Sequence, residues 1–558
     1  METARKDTRQ IDLIKMYSNK RCLVIDDFPE IRGSLTRTLR NFGIETVDTA
    51  ADGEEAVRLC SKNKYDIVIC DYNLGNGKDG QQVLEEVRYL RVLLMTSLFM
   101  MLTGESSREM VLGALECQPD DYITKPYTEA SLRTRLNRAM LRHEALIDIK
   151  KAISDGDYNS ALEGCNQMIH MGSRYAPDCV KMKGHLLFLL RQLKEAQELY
   201  ESVLDKKPIV WAKLGLGKSL LEMGKFDAAA NMFEEVIAED NRYIEAHDLM
   251  AEVYTAKNDS INAQKAVERA AQISPKSVHR HRKLAELADT NGDSLMSMNS
   301  HQQAIKYGQD SCHESSQDYF NYARKVSDVV REGLAPKEEN VMVKKAVTYL
   351  DRARKRYGDT PEIAAQSQMV EAQLYQSQGE VEKAKAATEK AKNLYKELQN
   401  PAVETSVEFA RTLHTMNEEE QARAILNALA AEHPDDKRLM GIIDGITSEP
   451  ISDKGKKIAS QLTKTGIDSY DAKDFDAAIG VFNKAINVYP KHVGLNLNLI
   501  QAVIAATERS GPNPEYEQLC RRSLGAVGDI APDRKQFKRY EFLQKQLSKH
   551  YPSLVAAS

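Results

Sequence analysis

Val68-Ile69-Cys70-Asp71-Tyr72-Asn73-Leu74-Gly75 runs apolar for three residues and then delivers an aspartate where a buried strand ends. A continuous apolar run, Ile67 to Cys70, reads as a strand covered on both faces, the habit of parallel sheets. Working outward, R-C-L-V-I (21–25) reads as a first strand, 45–49 as a second, 97–102 as a fourth and 121–124 as a short fifth. Amphipathic segments alternate with them. Pro29 opens a helix that places Ile31, Leu35 and Leu39 on one face and ends at Gly43. The turn Asp52-Gly53 leads into a second helix through Ala56 and Leu59; 80–90 and 106–115 read as a third and a fourth, and a fifth starts at Glu129. Five strands alternating with five helices predict a doubly wound, five-stranded parallel α/β sheet.

In such a sheet, functional groups gather beyond the C-terminal ends of the strands. Asp26 and Asp27 follow the first strand, Asp71 ends the third, Thr103 follows the fourth and Lys125 follows the fifth. All are therefore expected at one edge. Carboxylates brought to about 4 Å repel by about 4 kcal/mol per pair at an effective dielectric near 20, so a cation is required among them. A hard divalent ion such as Mg²⁺, which takes oxygen ligands, together with the Lys125 ammonium meets that demand. A carboxylate held in this way is suited to accept a phosphoryl group, because metal and lysine neutralise the charge on the transferred oxygens.

These residues resemble the receiver domain of bacterial two-component response regulators, of the chemotaxis-regulator type. The matching features are D-D-x-x-x-x-R (Asp26, Asp27, Arg32), the lone Asp71, L-T-G around Thr103, and Y-I-T-K-P from Tyr122 through Lys125 to Pro126. The intervals of 44 residues from Asp27 to Asp71 and 22 from Thr103 to Lys125 fit that family closely, while 32 from Asp71 to Thr103 is slightly long. The resemblance implies that Asp71 is phosphorylated by a histidine kinase or phosphotransfer protein. It also implies that Asp26, Asp27, Asp71 and the main-chain carbonyl of Asn73 hold Mg²⁺, that Lys125 contacts the phosphate, and that Thr103 and Tyr122 form a switch pair. Where the family carries Met-Pro after the aspartate, this chain has the glycine-rich L-G-N-G-K-D-G, one residue longer.

Near residue 140 the strand signals stop. G-D-Y-N-S-A (156–161), R-Q-L-K-E-A (191–196), G-K-F-D-A-A (224–229), N-D-S-I-N-A (258–263) and G-D-S-L-M-S (292–297) align, with last residues 35, 33, 34 and 34 apart. That period is similar to tetratricopeptide repeats, pairs of antiparallel helices whose small side chains permit close approach. The register is lost beyond Gln309 and returns at G-E-V-E-K-A (379–384), N-E-E-E-Q-A (417–422) and K-D-F-D-A-A (473–478). The expected organisation is an N-terminal extension (1–19), a receiver (20–141) and an all-α solenoid of about five repeats (142–310). An irregular helical insertion (311–360), degenerate repeats (361–445), a break (446–457), a last repeat with capping helices (458–549) and a tail (550–558) follow. The helix from Glu129, through Leu132, Leu136, Met140, Leu146 and Ile149, is expected to run from the receiver into the first repeat.

Composition narrows the function. The 77 Lys and Arg against 82 Asp and Glu give a net charge of −5, which does not favour binding driven by nucleic-acid charge. The basic run H-R-H-R-K (279–283) is too short to reverse that, and no compact helix-turn-helix unit stands out, so the alternative of a DNA-binding transcription regulator is disfavoured. No apolar run is long enough to span a bilayer, and a cytoplasmic location is expected. The eight cysteines are scattered without metal-like spacing and read as reduced thiols. No second catalytic constellation follows residue 140, so the chain is read as a non-enzyme beyond its own phosphorylation. The expected function is a scaffold whose repeat groove binds a protein or peptide under phosphorylation control. A homodimer through the fourth helix, fifth strand and fifth helix is the expected second partner surface.

Overall fold

The computed structural model describes residues 13–104, 119–333, 336–358, 360–527 and 536–554. Its contacts divide the chain into two compact units, one of residues 1–280 with 306–314, the other of residues 281–305 with 315–558.

The first unit opens with five parallel strands, β1 (Arg21–Ile25), β2 (Thr46–Ala50), β3 (Ile67–Asp71), β4 (Leu98–Thr103) and β5 (Asp121–Thr124), in the order β2-β1-β3-β4-β5. The period-two alternation of a strand splits the apolar residues into two cores. Leu23, Ile25, Val68, Cys70, Phe99 and Met101 enter one; Cys22, Val24, Ile67, Ile69, Met100 and Leu102 enter the other. Every residue of β3 and β4 is buried, as the uninterrupted apolar runs require. The helix Pro29–Asn41 has proline in its first turn, and Gly53–Lys62 is capped by Asp52, whose carboxylate accepts from the Glu55 N–H at 2.8 Å. The helix expected at 106–115 lies outside the described residues.

The helix from Glu129 does not run on into the repeats. It ends at Ala145, and a second helix, Ile147–Ser154, begins after Leu146 at φ −108°, ψ 7°. Leu136 and Met140 belong to a sheet core, whereas Leu146 and Ile149 belong to the first repeat core. On an uninterrupted helix Leu146 would sit about a third of a turn round from Met140, so one helix cannot serve both.

Paired helices then build the repeats, from Tyr158–His170 and Ala176–Leu189 onward. Their turns share one device. The first residue of each of the eight aligned motifs, Gly156, Arg191, Gly224, Asn258, Gly292, Gly379, Asn417 and Lys473, has φ between 58° and 78°. The left-handed conformation suits glycine and asparagine and strains the arginine and lysine. The last residue of each motif, Ala161, Ala196, Ala229, Ala263, Ser297, Ala384, Ala422 and Ala478, is fully buried. In two of the helix pairs an aromatic of the second helix lies over a glycine of the first, Phe233 over Gly217 and Phe482 over Gly466.

In the second unit, the segment expected as an irregular insertion forms two helices, Ser316–Arg331 and Pro336–Arg356, around Tyr319, Phe320, Val326, Ala346 and Leu350. The expected break is shorter than the sequence indicates, because a helix already starts at Asp453, capped by Ser452. The buried Asp444 carboxylate accepts from the N–H groups of Ile451 and Ser452, both at 2.8 Å, and makes the corner ordered. Among the described residues no helix is long and apolar enough to cross a membrane, and seven cysteines are free thiols.

Candidate functional site

The strand order reverses direction between β1 and β3, the position at which open parallel sheets hold their ligands. Asp26 leaves β1 fully buried. One of its carboxylate oxygens accepts from the Phe28 N–H at 2.9 Å and the other contacts the Lys125 ammonium at 3.1 Å. The Arg32 guanidinium holds the Asp26 main-chain carbonyl at 2.6 Å. Asp71 ends β3, 6% exposed; its Oδ1 accepts from the Tyr72 N–H at 3.0 Å and its Oδ2 lies 3.0 Å from Lys125 Nζ. Asp27 completes the group: Asp26, Asp27 and Asp71 each offer an oxygen within 4.8 Å of the others.

Electrostatically the group is unbalanced. Burial raises the pKa of Asp71; Lys125 opposes that shift and Asp26 adds to it. Burial works against the charged form of Lys125, yet its bonds to Asp71 and Asp26 raise its pKa overall, so it is a firm cation. Oδ1 of Asp27 is buried without a hydrogen-bond partner, a condition that buried carboxylate oxygens rarely tolerate. Oxygen-only donors, an orphaned oxygen and more negative than positive charge are the donor set of a hard divalent cation.

Thr103 ends β4, is buried, and its carbonyl accepts from the Lys125 N–H at 2.6 Å; the Lys125–Pro126 peptide is cis. Tyr122 pairs with Met101 across β4 and β5 and packs, half-buried, against the core that holds Leu23 and Val68. Asn73 is exposed, and its side chain accepts from the Gly75 N–H at 3.3 Å. Asp26, Asp27, Asp71 and Lys125 are thus in contact range, with Thr103 and Tyr122 on the adjoining strands. The proposed dimer face includes 106–115 and lies in part outside the described residues.

Residues with no local sequence signal join the site. Gly80 donates its N–H to the Tyr72 carbonyl at 2.8 Å, and a side-chain carbon there would overlap the Asp71 carbonyl oxygen. Asp79 caps the helix Gly80–Tyr89 through the Gln82 N–H. The period of the helix foretold its start but not how tightly it abuts Asp71.

A family model described as "Response regulator receiver domain" matches residues 22–137, and one for the tetratricopeptide repeat matches 187–253 and 220–287. The chain is similar to chemotaxis protein CheY-3 of Vibrio cholerae, 32% identical over 133 residues that make up 23% of this chain and 96% of that protein. It is also similar to the alkaline phosphatase synthesis transcriptional regulatory protein PhoP of Bacillus subtilis, 33% identical over 23% of this chain and 50% of PhoP. Among solved structures, CheY4 of Vibrio cholerae matches with 29% identity and a TM-score of 0.20, over 22% of this chain and 98% of that one.

Proposed function

The chain belongs to the response regulator family, and from that premise we propose that Asp71 is its phosphoacceptor and that phosphorylation controls what its tetratricopeptide repeats bind. The observation that carries the reading is the unbalanced carboxylate group, with Lys125 bridging Asp26 and Asp71 and one oxygen of Asp27 left orphaned. Asp26, Asp27 and Asp71, with the carbonyl of Asn73, are the residues that would hold Mg²⁺. Bound there, the ion supplies positive charge to the oxygens of the transferred phosphoryl group.

The protein's own groups do the rest. A carboxylate oxygen of Asp71 attacks the donor phosphorus. An O–P bond forms as the bond from phosphorus to the donor's nitrogen or oxygen breaks, and the electron pair leaves with the donor. The Tyr72 N–H and the Lys125 ammonium hold the carboxylate in place, and Lys125 is then available to the new phosphoryl oxygens. Thr103 and Tyr122 act as the switch pair, the hydroxyl turning toward the phosphate and the ring turning inward. The donor is a histidine kinase or phosphotransfer protein in the cytoplasm, the output is binding of a protein or peptide by the repeats, and the chain catalyses nothing beyond its own phosphorylation and dephosphorylation.

The test is incubation of the full chain with acetyl phosphate and Mg²⁺, followed by intact-mass measurement. Wild type is expected to gain one phosphoryl group and Asp71→Asn none. An unmodified wild type, or equal modification of Asp71→Asn, overturns the assignment.

A further inference from the structure

In the first unit the helix that follows Asp71 is gripped by residues from much later in the chain. Lys276 Nζ donates to the Tyr72 hydroxyl at 2.8 Å and to Asp79 Oδ2 at 2.8 Å, and lies 4.8 Å from the centre of the Tyr72 ring. Burial works against a charged Lys276, but Asp79 and Tyr72 overcome it and raise its pKa. The turn 309–314 lines the same helix: Lys78 donates to the Asp310 carbonyl at 2.7 Å and Gln82 to the Gln309 carbonyl at 3.2 Å. His313 lies 3.8 Å from the Glu85 carboxylate and meets the Tyr89 ring edge-on. Gln82, Glu85 and Tyr89 recur at three and four residues, one face of a helix. Residues 78–89 are therefore an intramolecular docking strip for the repeats.

That strip is wired to the phosphoacceptor by a short path. The Tyr72 N–H bonds the Asp71 carboxylate while the Tyr72 hydroxyl bonds Lys276, and Asp79 joins Lys276 to the helix whose first residue lies against the Asp71 backbone.

We propose that Lys276 is a positioning residue that reads the state of Asp71, so that phosphorylation tightens the docking of residues 276–280, in the repeats, and of the turn 309–314 on the strip 78–89. The inference rests on Asp71 being the phosphoacceptor. A phosphoryl group on Asp71 adds negative charge one residue from Tyr72, whose hydroxyl the Lys276 ammonium holds, and so favours the cation's contact with the strip. Because coupling is reciprocal, docked Lys276 in turn favours the modified form.

The experiment is hydrogen exchange on the full chain, with Asp71 modification followed by mass in the same samples under acetyl phosphate and Mg²⁺. On modification, amides in 276–280 and 309–314 are expected to exchange about fivefold more slowly, at the lower end of ordinary coupling. Lys276→Met loses that response, Lys276→Arg retains it, and Asp79→Asn, which keeps the helix cap, weakens it. At a fixed acetyl phosphate concentration Lys276→Met is also expected to hold about fivefold less phosphoprotein, a readout that a merely structural lysine would not move. Wild type that takes up the phosphoryl group with unchanged exchange in both segments overturns this inference and leaves the phosphoacceptor standing. Wild type that takes up none overturns both.

Discussion

Where the strands of the receiver end, three carboxylates gather with one ammonium, that of Lys125, which touches two of them, whereas in the second unit Arg324 and Arg282 each face a carboxylate of their own. Arg324 pairs with Glu408 at 3.0 Å, and the other oxygen of Glu408 accepts from Gln373 at 2.7 Å. Arg282 grips Asp318 with two nitrogens, at 2.6 and 3.0 Å. These matched sets join helices to one another, one carboxylate to one guanidinium. The receiver's set is unmatched, three carboxylates to one ammonium with an orphaned Asp27 oxygen, which is the donor set that suits a cation. Burial of charge alone does not separate structure from function; the charge balance does.

Breaking a matched set gives the largest expected change in stability. Glu408→Ala leaves Arg324 buried without its carboxylate and is expected to destabilise the helix Val403–Thr415 by about 3 kcal/mol, read as lost hydrogen-exchange protection in that helix. Equal protection in wild type and variant would show that the pair does not hold the helix.

Acid probes the same neighbourhood. His301 is buried near Asp318, Lys325, Arg324 and Arg282, and burial lowers its pKa from 6.5 to about 4. The unfolded chain binds the proton first, so the stabilisation is complete above pH 6.5 and is lost as the pH falls toward 4. The gap amounts to about 3 kcal/mol at the acid limit. Unfolding midpoints of wild type and His301→Gln between pH 7 and 4 are expected to converge as the pH falls; a constant difference would count against the histidine.

The unmatched set is expected to respond with the opposite sign. Without metal, Asp27→Asn removes one repelling charge and stabilises the receiver by about 1 kcal/mol. With free Mg²⁺ at about ten times its dissociation constant, wild type gains about 1.4 kcal/mol and the variant does not, as thermal shifts will show. A variant that is destabilised without metal, or that still responds to it, would place the receiver's carboxylates with the matched sets.

The smallest effect belongs to the turns. Lys473→Gly relieves a side chain held at φ 62° and is expected to raise stability by about 0.5 kcal/mol, whereas the same change at Arg509, inside the helix Val493–Ser510, lowers it.

Much of this was legible because local rules and global fold agree. The apolar run into Asp71 revealed a central strand, and four strand ends carrying Asp26, Asp27, Asp71, Thr103 and Lys125 disclosed one edge. Spacing disclosed the helix pairs, since a small residue must recur wherever helices touch. The sequence did not disclose the break at Leu146, because every residue from Leu132 to Ile149 is compatible with a helix and only the two cores that claim Met140 and Leu146 show where it must end. Nor did it disclose Lys276, which meets Asp79 from 197 residues away and differs in no local way from a solvated lysine. The left-handed turns were half visible: Gly156 and Asn258 advertise them, whereas Arg191 and Lys473 do not.

Leu146 closes one helix and opens the next with no residues between them as a spacer. A tether this short keeps the receiver and the repeats that follow it at a high mutual effective concentration, of the kind that lets contacts too weak to form a complex between separate molecules persist within one. The same strip of residues, offered by an isolated receiver to an isolated repeat fragment, is therefore expected to bind far more weakly, so that severing the joint would silence the dialogue between them while leaving each surface intact.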